Sequence, residues 1–280
     1  MSALAAQPHA VPAERSGSVR DMCGRFVSSQ SPDAISKYFG ASFEGAGTDG
    51  VVADAAEAAP ILPANFNVAP TNDVYGVVGD GDGHRELQVF HWGLVPSWAK
   101  DIKIGSKMIN ARAETLAEKP AFKSVFRKHR MILPMDGFYE WQQAVADSPA
   151  PQLTSRGKPV KQPMFIHRAD GDPLAVAALW TTWRDRAAGP DAPWLHSCTI
   201  ITTAANDTMA PVHDRMPVIL PPDVWDEWLD PRNADLAALQ RLLVPAPNDV
   251  LTMHPVSTGV NNVRNKGAEL IEAISPASPT

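Results

Sequence analysis

The chain has 280 residues, of which 44% are hydrophobic, so it is long enough to bury the core of one large domain or two small ones. Two cysteines are too few for a disulfide framework or a zinc ribbon, and no apolar run reaches the ~18 residues of a membrane span. Residues 1–21 lack the charged start and apolar block of a secretory signal, so a cytoplasmic, reduced protein with no membrane partner is expected.

The net charge of −6 argues on average against a nucleic-acid partner, but the charge is unevenly distributed. Residues 42–64 contain acidic side chains and neither lysine nor arginine, so the net charge of the rest of the chain is closer to zero. A local basic groove is therefore compatible with the composition. The acidic residues of that segment are Glu44, Asp49, Asp54 and Glu57.

Residues 1–21, rich in Ala, Pro and Ser, predict a disordered N-terminal extension, which we hypothesise is absent from the mature protein. The first helix is predicted from Ser31, a suitable N-cap, through Pro32 at the first helical position to Gly40. Residues 44–60 then predict a flexible loop insertion.

Beyond this point, short strand patterns are separated by Gly, Pro and Asp, and three more helices are predicted. The absence of strand–helix–strand alternation favours an α+β fold around a curved antiparallel, barrel-like β-sheet with flanking helices. One domain over residues 22–275 is expected, with a second loop insertion at residues 144–162. The predicted strands are residues 74–79, 86–93, 130–135, 163–168, 174–180, 198–203 and 217–220, and the helices are residues 119–129, 222–229 and 234–243.

The predicted helix at residues 119–129 has a core face and a basic face. Its basic side chains recur every three or four residues, which is compatible with a solvated surface or with a stripe that faces phosphates. The sequence leaves both interpretations open. The basic residues are Lys119, Lys123, Arg127 and Arg130.

The first motif suited to chemistry is CGRF, residues 23–26. Gly24 leaves room beside Cys23 for a substrate to approach the backbone, and Arg25 is suited to a phosphate. A free cysteine in a reduced protein is also commonly buried, so the residues alone leave the role of Cys23 open.

The second motif is INARAET, residues 109–115. If the segment is extended, Asn110, Arg112 and Glu114 point to one face. Such a face is compatible with a binding surface, or with an exposed strand that carries a salt bridge.

The third motif, DGFYEW, flanks Glu140 with Tyr139 and Trp141. Aromatic surroundings tend to desolvate a carboxyl and raise its pKa, which suits a general acid. Strand alternation alone slightly favours the other outcome, in which Glu140 faces water.

The fourth motif, APVHDRMPV, sets His213, Asp214 and Arg215 between two prolines before a strand. A loop histidine at a strand edge is a candidate acid or base, although a single histidine is more often structural. Cys198 and His254 are interpreted as core and loop residues without chemistry. One thiol, one amide, one carboxyl and one imidazole are compatible with a Cys/His hydrolase, and the pattern does not select a substrate.

Seven ordered motifs, MCGRF, FNVAP, WGLVPSW, INARAET, GFYEW, HDRMPV and HPVS…NNVRNKGAEL, resemble those of the SOS response-associated peptidase (SRAP) family of abasic-site processing proteins. The resemblance runs from Met22 to about Ile271. It implies a single α+β domain around a barrel-like sheet, acting in the DNA damage response on abasic sites in single-stranded DNA. It also implies a thiazolidine DNA–protein crosslink on an N-terminal cysteine, incision by β-elimination, and no cofactor or metal.

By this resemblance, Cys23 is the crosslinking residue, Asn110 positions the reacting end and Glu140 assists sugar ring opening. His213 is implied in Schiff-base chemistry and in reversal of the crosslink. The implied DNA-binding residues, including three phosphate-binding arginines, are Arg25, Asn67, Pro70, Trp92, Arg112 and Arg215.

The tail before Met22 departs from the family pattern, because the implied chemistry needs the free α-amine of Cys23. We hypothesise that the active protein begins at Cys23, either through translation from Met22 or through cleavage of a leader, including by the protein itself. The alternatives are a cysteine peptidase that acts on peptides or on its own leader, and a non-catalytic binder of single-stranded DNA. A monomer is expected.

Overall fold

The computed structural model describes residues 24–44, 60–143, 157 and 160–274. The predicted N-terminal extension, Cys23 and most of the two predicted insertions lie outside the described residues.

Strands make up most of the regular structure in the described part of the chain, as expected for an α+β fold. The helices are α1 (Pro32–Phe39), α2 (Pro120–Lys128), α3 (Trp225–Leu229) and α4 (Leu236–Arg241). The strands are β1 (Phe26–Ser28), β2 (Ala41–Ser42), β3 (Asn65–Val68), β4 (Asp73–Gly79), β5 (Arg85–Trp92), β6 (Asn110–Arg112), β7 (Arg130–Met135), β8 (Gly137–Gln142), β9 (Gln162–Arg168), β10 (Leu174–Trp183), β11 (Leu195–Ala204), β12 (Arg215–Pro217) and β13 (Leu251–Pro255).

The first helix forms as its capping residues predict. The Ser31 hydroxyl accepts a hydrogen bond from the Ala34 N–H at 3.2 Å, which satisfies one of the open donors of the first turn. Gly40 ends the helix with a φ of 62°, in the left-handed region that favours glycine.

The last predicted helices are shorter than their patterns suggest. Residues 222–224 form a 3₁₀ turn and only Trp225–Leu229 is α-helical, while Leu236–Arg241 replaces the prediction for residues 234–243. His254, predicted in a loop, lies in β13.

Five strands close into a ring, which we call the barrel. Their order is β11, β10, β7, β4 and β5, and β5 returns to β11 through a short parallel pairing. Strands β12 and β6 also pair with β11, near its C-terminal end. The expectation of a curved, barrel-like sheet with flanking helices is therefore confirmed.

A second sheet has the order β13, β9, β8, β1 and β3 and is antiparallel throughout. Its Phe26, Phe138 and Ile166 share a hydrophobic cluster with Phe90 and Leu133 of the barrel. The helices α1 to α4 pack on the opposite face of the barrel strands. The core therefore consists of layers, in which the barrel strands lie between the helices and the second sheet.

Residues 256–274, which we call the C-terminal strap, cover the outer face of the second sheet. Val260 and Leu270 of the strap pack with Tyr139 and Phe165 of that sheet. Because both faces of the second sheet are covered, side chains of both parities are buried in the first four residues of β8.

Helix α2 buries Phe122 and Val125 as predicted, but the basic stripe is shorter than expected. Arg130 is only 2% exposed and donates to the carbonyls of Phe126 and Trp228 at 2.9 and 2.7 Å. Burial lowers its pKa to about 10, so it stays charged at neutral pH. Arg130 therefore ties β7 to α3, and the exposed members are Lys119, Lys123 and Arg127.

No helix among the described residues is both long enough and apolar enough to cross a membrane.

Candidate functional site

Strand β1 brings three of the sequence motifs side by side, because it lies between β8 and β3. Phe26 pairs with Phe138 on one side and with Val68 on the other. The Arg25 carbonyl accepts a hydrogen bond from the Tyr139 N–H at 3.0 Å, so the CGRF and GFYEW motifs run antiparallel in register. The chain that leads back to Cys23 therefore enters the fold beside the strand of Glu140.

The carboxyl of Glu140 is removed from water, with the residue only 3% exposed. Glu140 lies opposite Met164 in β9 and has the same strand parity as Phe138, which belongs to the cluster between the second sheet and the barrel. The alternative that strand alternation exposes Glu140 is therefore wrong. The structure confirms the desolvated environment that the aromatic neighbours of Glu140 suggest.

The INARAET and HDRMPV motifs are both brought to strand β11. Strand β6 pairs in parallel with β11, so that Asn110 lies beside Ile200 and Arg112 beside Thr202. Strand β12 pairs with β11 only two residues further on, where Arg215 lies opposite Ala204. The INARAET and HDRMPV motifs therefore converge at the C-terminal end of β11.

Glu114 does not continue the strand as its spacing predicted. Residues 113–115 form a 3₁₀ turn, so only Asn110 and Arg112 share a strand face. The turn nevertheless carries the Glu114 carboxylate to Arg215, which donates to its two oxygens at 2.6 and 3.0 Å. The hydrogen bond from Arg215 lowers the pKa of Glu114, and Arg215 also donates to the Thr202 carbonyl at 2.6 Å.

His213 is held in a defined orientation before β12. Its Nδ1 accepts a hydrogen bond from the Arg215 N–H at 3.0 Å and lies 3.0 Å from Oδ1 of Asp214. The His213 side chain is 17% exposed, against 89% for Asp214. Both contacts are made by Nδ1, so Nε2 is the ring nitrogen that lies outside them and can meet a ligand.

A buried carboxamide connects the start of β1 to the strap. Asn67 is 0% exposed, and its Oδ1 accepts a hydrogen bond from Nη1 of Arg25 at 2.9 Å. Its Nδ2 lies within 3.1 Å of three strap carbonyls. These carbonyls belong to Val260, Asn262 and Asn265.

Arg25 and Trp141 are held by the same segment of the strap. Arg25 also donates to the Val260 carbonyl at 2.9 Å, and its guanidinium carbon lies 6.0 Å from the centroid of the Trp141 ring. The Trp141 indole donates to Oδ1 of Asn261 at 2.6 Å. Burial lowers the pKa of Arg25, which at neutral pH remains a cation two residues after Cys23.

Trp92 does not offer a groove surface to DNA in this structure. It is 0% exposed, its indole donates to the Ile109 carbonyl at 3.0 Å, and it packs edge-on against Phe26 with 5.0 Å between ring centroids. Its role here is to support the residue before Asn110. The partly exposed Pro70 precedes Thr71, whose φ of 72° is unusual for a β-branched residue and fixes the shape of that loop.

Two features of the motif residues were missed from the sequence. Trp98, the last residue of WGLVPSW, is 62% exposed. A loop sequence has no periodicity from which the exposure of a tryptophan could be predicted. Asn261 lies within the NNVRNKGAEL motif, but nothing local connects it to Trp141, 120 residues away.

The described residues contain no group of three or more His, Cys, Asp or Glu side chains that could hold a metal ion. Cys198 is fully buried in β11, and burial raises the pKa of its thiol well above its usual range. Its burial agrees with its interpretation as a core residue.

A family model described as SOS response associated peptidase (SRAP) matches residues 22–263. The chain is similar to the abasic site processing protein YoaM of Bacillus subtilis, with 43% identity over 209 residues that cover 75% of this chain and 85% of that protein. It is also similar to the abasic site processing protein YedK of Escherichia coli, with 32% identity over 260 residues, 90% of this chain and 100% of that protein. A solved structure from Bacteroides thetaiotaomicron has the same fold, with a TM-score of 0.72 and 22% identity over 90% of this chain and 100% of that one.

We expect Asn67→Ala to loosen the strap. Removal of the carboxamide takes one hydrogen bond from Arg25 and leaves the Asn265 carbonyl without its side-chain donor, at a cost of about 1–3 kcal/mol in the free energy of unfolding. Hydrogen exchange should accelerate in residues 259–267 and remain unchanged in the barrel strands. The exposed Asn248→Ala, which loses only surface hydrogen bonds to Asp207, is the matched control. Unchanged exchange in residues 259–267 of Asn67→Ala would show that the carboxamide does not hold the strap.

Proposed function

Because the chain belongs to the SOS response-associated peptidase family, we propose that it traps abasic sites of single-stranded DNA as a covalent adduct on Cys23. The observation that carries the proposal is the burial of Glu140, 3% exposed, beside the strand that begins three residues after Cys23. A carboxyl removed from water next to the incoming chain is suited to donate a proton to a bound sugar.

The abasic sugar reacts only after its ring opens to an aldehyde. In the proposed reaction, Glu140 gives a proton to the ring oxygen as its bond to C1′ breaks, and the C1′ hydroxyl loses its proton to water to give the aldehyde. The α-amine of Cys23 then adds to C1′ and one water leaves, which forms an imine. The Cys23 thiol adds to the imine carbon and closes a five-membered thiazolidine ring. Such intramolecular closures reach effective molarities on the order of 10⁵ M or more.

The remaining polar residues have supporting roles in this proposal. Asn110 orients the reacting end of the chain from β6. His213 serves as acid or base through Nε2 during reversal and during β-elimination, in which a base removes a proton from C2′ of the imine and the C3′–oxygen bond breaks. The lyase activity and the reversal both rest on this imine.

The DNA contacts divide into two kinds. Arg112 is exposed and is suited to bind a phosphate directly. Arg25 is held by neutral groups and contributes a fixed positive charge, whereas Arg215 is paired with the Glu114 carboxylate. Pro70 and the exposed Trp98 are suited to pack against unstacked bases. Asn67 and Trp92 are buried and act through the residues that they hold.

The proposed chemistry requires that the active protein begin at Cys23. An amide nitrogen at this position has its lone pair delocalised into the carbonyl and cannot form the imine. The match to the family model starts at residue 22, which supports an active protein that begins at Cys23. The family description also supports a second candidate, in which the Cys23 thiol cleaves peptide bonds, including those of its own leader.

We expect Cys23→Ala to abolish the heat-stable complex with an abasic single-stranded oligonucleotide while it preserves most reversible binding. The arginines that supply the positive charge are unchanged in this variant. A denaturing gel and a binding titration measure the two quantities, and Cys198→Ala is the matched control because that thiol is buried in the core. If wild type gives no shifted band but cleaves a leader peptide, the peptidase candidate holds. A salt-sensitive complex alone indicates a passive binder.

We expect Glu140→Gln to slow crosslinking at saturating DNA by ~10²–10⁴-fold, because glutamine keeps the shape of the carboxyl but cannot donate its proton. Single-turnover rates measure the effect, and the dissociation constant for the same oligonucleotide should change little. Glu118→Gln, at an exposed position before α2, is the control. A Glu140→Gln rate equal to wild type would remove Glu140 from the mechanism.

A further inference from the structure

Residues 262–266 of the strap form a turn whose backbone is fixed from beneath; we call it the strap turn. The Asn265 N–H donates to the Asn262 carbonyl at 3.0 Å, and the Arg264 N–H donates to Oδ1 of Asn262 at 3.1 Å. Asn67 binds the carbonyls of Asn262 and Asn265 from the buried side. The turn is therefore preorganised, with its carbonyls directed inward.

This fixed backbone presents its side chains outward. Val263 is 45% exposed, and Arg264 and Lys266 are both exposed. The Lys266 carbonyl accepts from the Phe66 N–H at 3.2 Å, which anchors the end of the turn on β3. An apolar side chain between inward-directed carbonyls, followed by two cations, is a surface suited to a sugar–phosphate chain.

The strap turn is continuous with the candidate site. Nζ of Lys266 lies 3.5 Å from Oδ1 of Asn72, in the loop that contains Pro70. From the other side, Asn67 connects the turn directly to Arg25. Lys266 therefore borders the loop of Pro70, and Arg264 lies two residues before it on the same turn.

Charge supports the same ligand. The sequence from residue 250 to residue 268 has no acidic side chain, in a chain whose net charge is −6. Two of the three arginines expected on phosphates are committed to protein partners, Arg25 to Asn67 and Arg215 to Glu114. Additional exposed cations beside the site are therefore needed to hold a polyanion.

We propose that the strap turn binds the sugar–phosphate backbone of single-stranded DNA, with Arg264 and Lys266 on phosphates and Val263 against a sugar. The inference rests on the proposed function for the identity of the strand and adds a backbone-binding element outside the catalytic residues. Arg264 and Lys266 belong to the NNVRNKGAEL motif, and the site residues implied by the resemblance do not include them.

A competing basic surface lies on α2, where Lys123 and Arg127 are exposed. This helix covers the barrel on the side away from the strap, and its residues make no contact with the strands of Asn67 or Glu140 in the described hydrophobic clusters. The two surfaces carry the same charge per pair of residues, so they provide a matched comparison.

The test measures binding of an undamaged single-stranded oligonucleotide to full-length protein as a function of NaCl concentration. We expect Arg264→Ala/Lys266→Ala to reduce the steepness of log K against log salt by about 1.4, since each phosphate contact to a single strand contributes ~0.7. The control, Lys123→Ala/Arg127→Ala, should keep the wild-type slope. An unchanged slope in the strap variant, or an equal fall in the α2 variant, overturns the proposal.

Two further measurements distinguish DNA binding by the strap turn from the proposed crosslinking reaction. The charge reversal Arg264→Glu/Lys266→Glu should weaken binding more than the alanine pair, and binding equal to the alanine pair contradicts phosphate contact.

The undamaged probe has no aldehyde, so a failure of wild type to crosslink abasic DNA removes the proposed function and leaves the binding result interpretable. With saturating abasic DNA, the strap variant should crosslink at the wild-type rate; a slower rate contradicts a purely binding role.

Discussion

The buried carboxamide of Asn67 is the contact on which the arrangement of the candidate site depends. It joins Arg25, at the start of β1, to three carbonyls of the strap, and the strap in turn holds the indole of Trp141 beside Glu140. Buried carbonyls need hydrogen-bond partners, and in this part of the strap the Asn67 side chain adds to those that Arg25 and the Phe66 N–H supply. A single side chain therefore fixes three segments that are distant in sequence.

A second contact unites the two halves of the site. One half, on β1, β3 and β8, carries the chain from Cys23 together with Glu140, while the other half is assembled on β11. Trp92 packs against Phe26 of the first half and donates to the Ile109 carbonyl, directly before Asn110 of the second. Core packing thus joins β1, the strand that follows the proposed nucleophile in sequence, to the segment that carries the amide proposed to orient it.

Local rules predicted the parts of the fold that depend on local interactions. Ser31, Pro32 and Gly40 defined α1 because capping is decided within one turn. The burial of Glu140 was not predictable from alternation, because the barrel covers one face of its sheet and the irregular strap covers the other. The pairing of Arg215 with Glu114 spans 101 residues, and the anchoring of Arg130 on α3 spans 98, so neither leaves a local signal.

In the proposed reaction, the α-amine of Cys23 acts together with its thiol. The most direct measurement is the intact mass of the adduct formed with an abasic oligonucleotide by two proteins. One begins at Cys23, and the other keeps residues 1–22 with Met22 replaced and cleavage blocked. We expect the first protein to give an adduct that is lighter than its two components by one water, and the second to give none that survives heating. The same adduct at the same rate from the extended protein would contradict the claim and require an internal nucleophile.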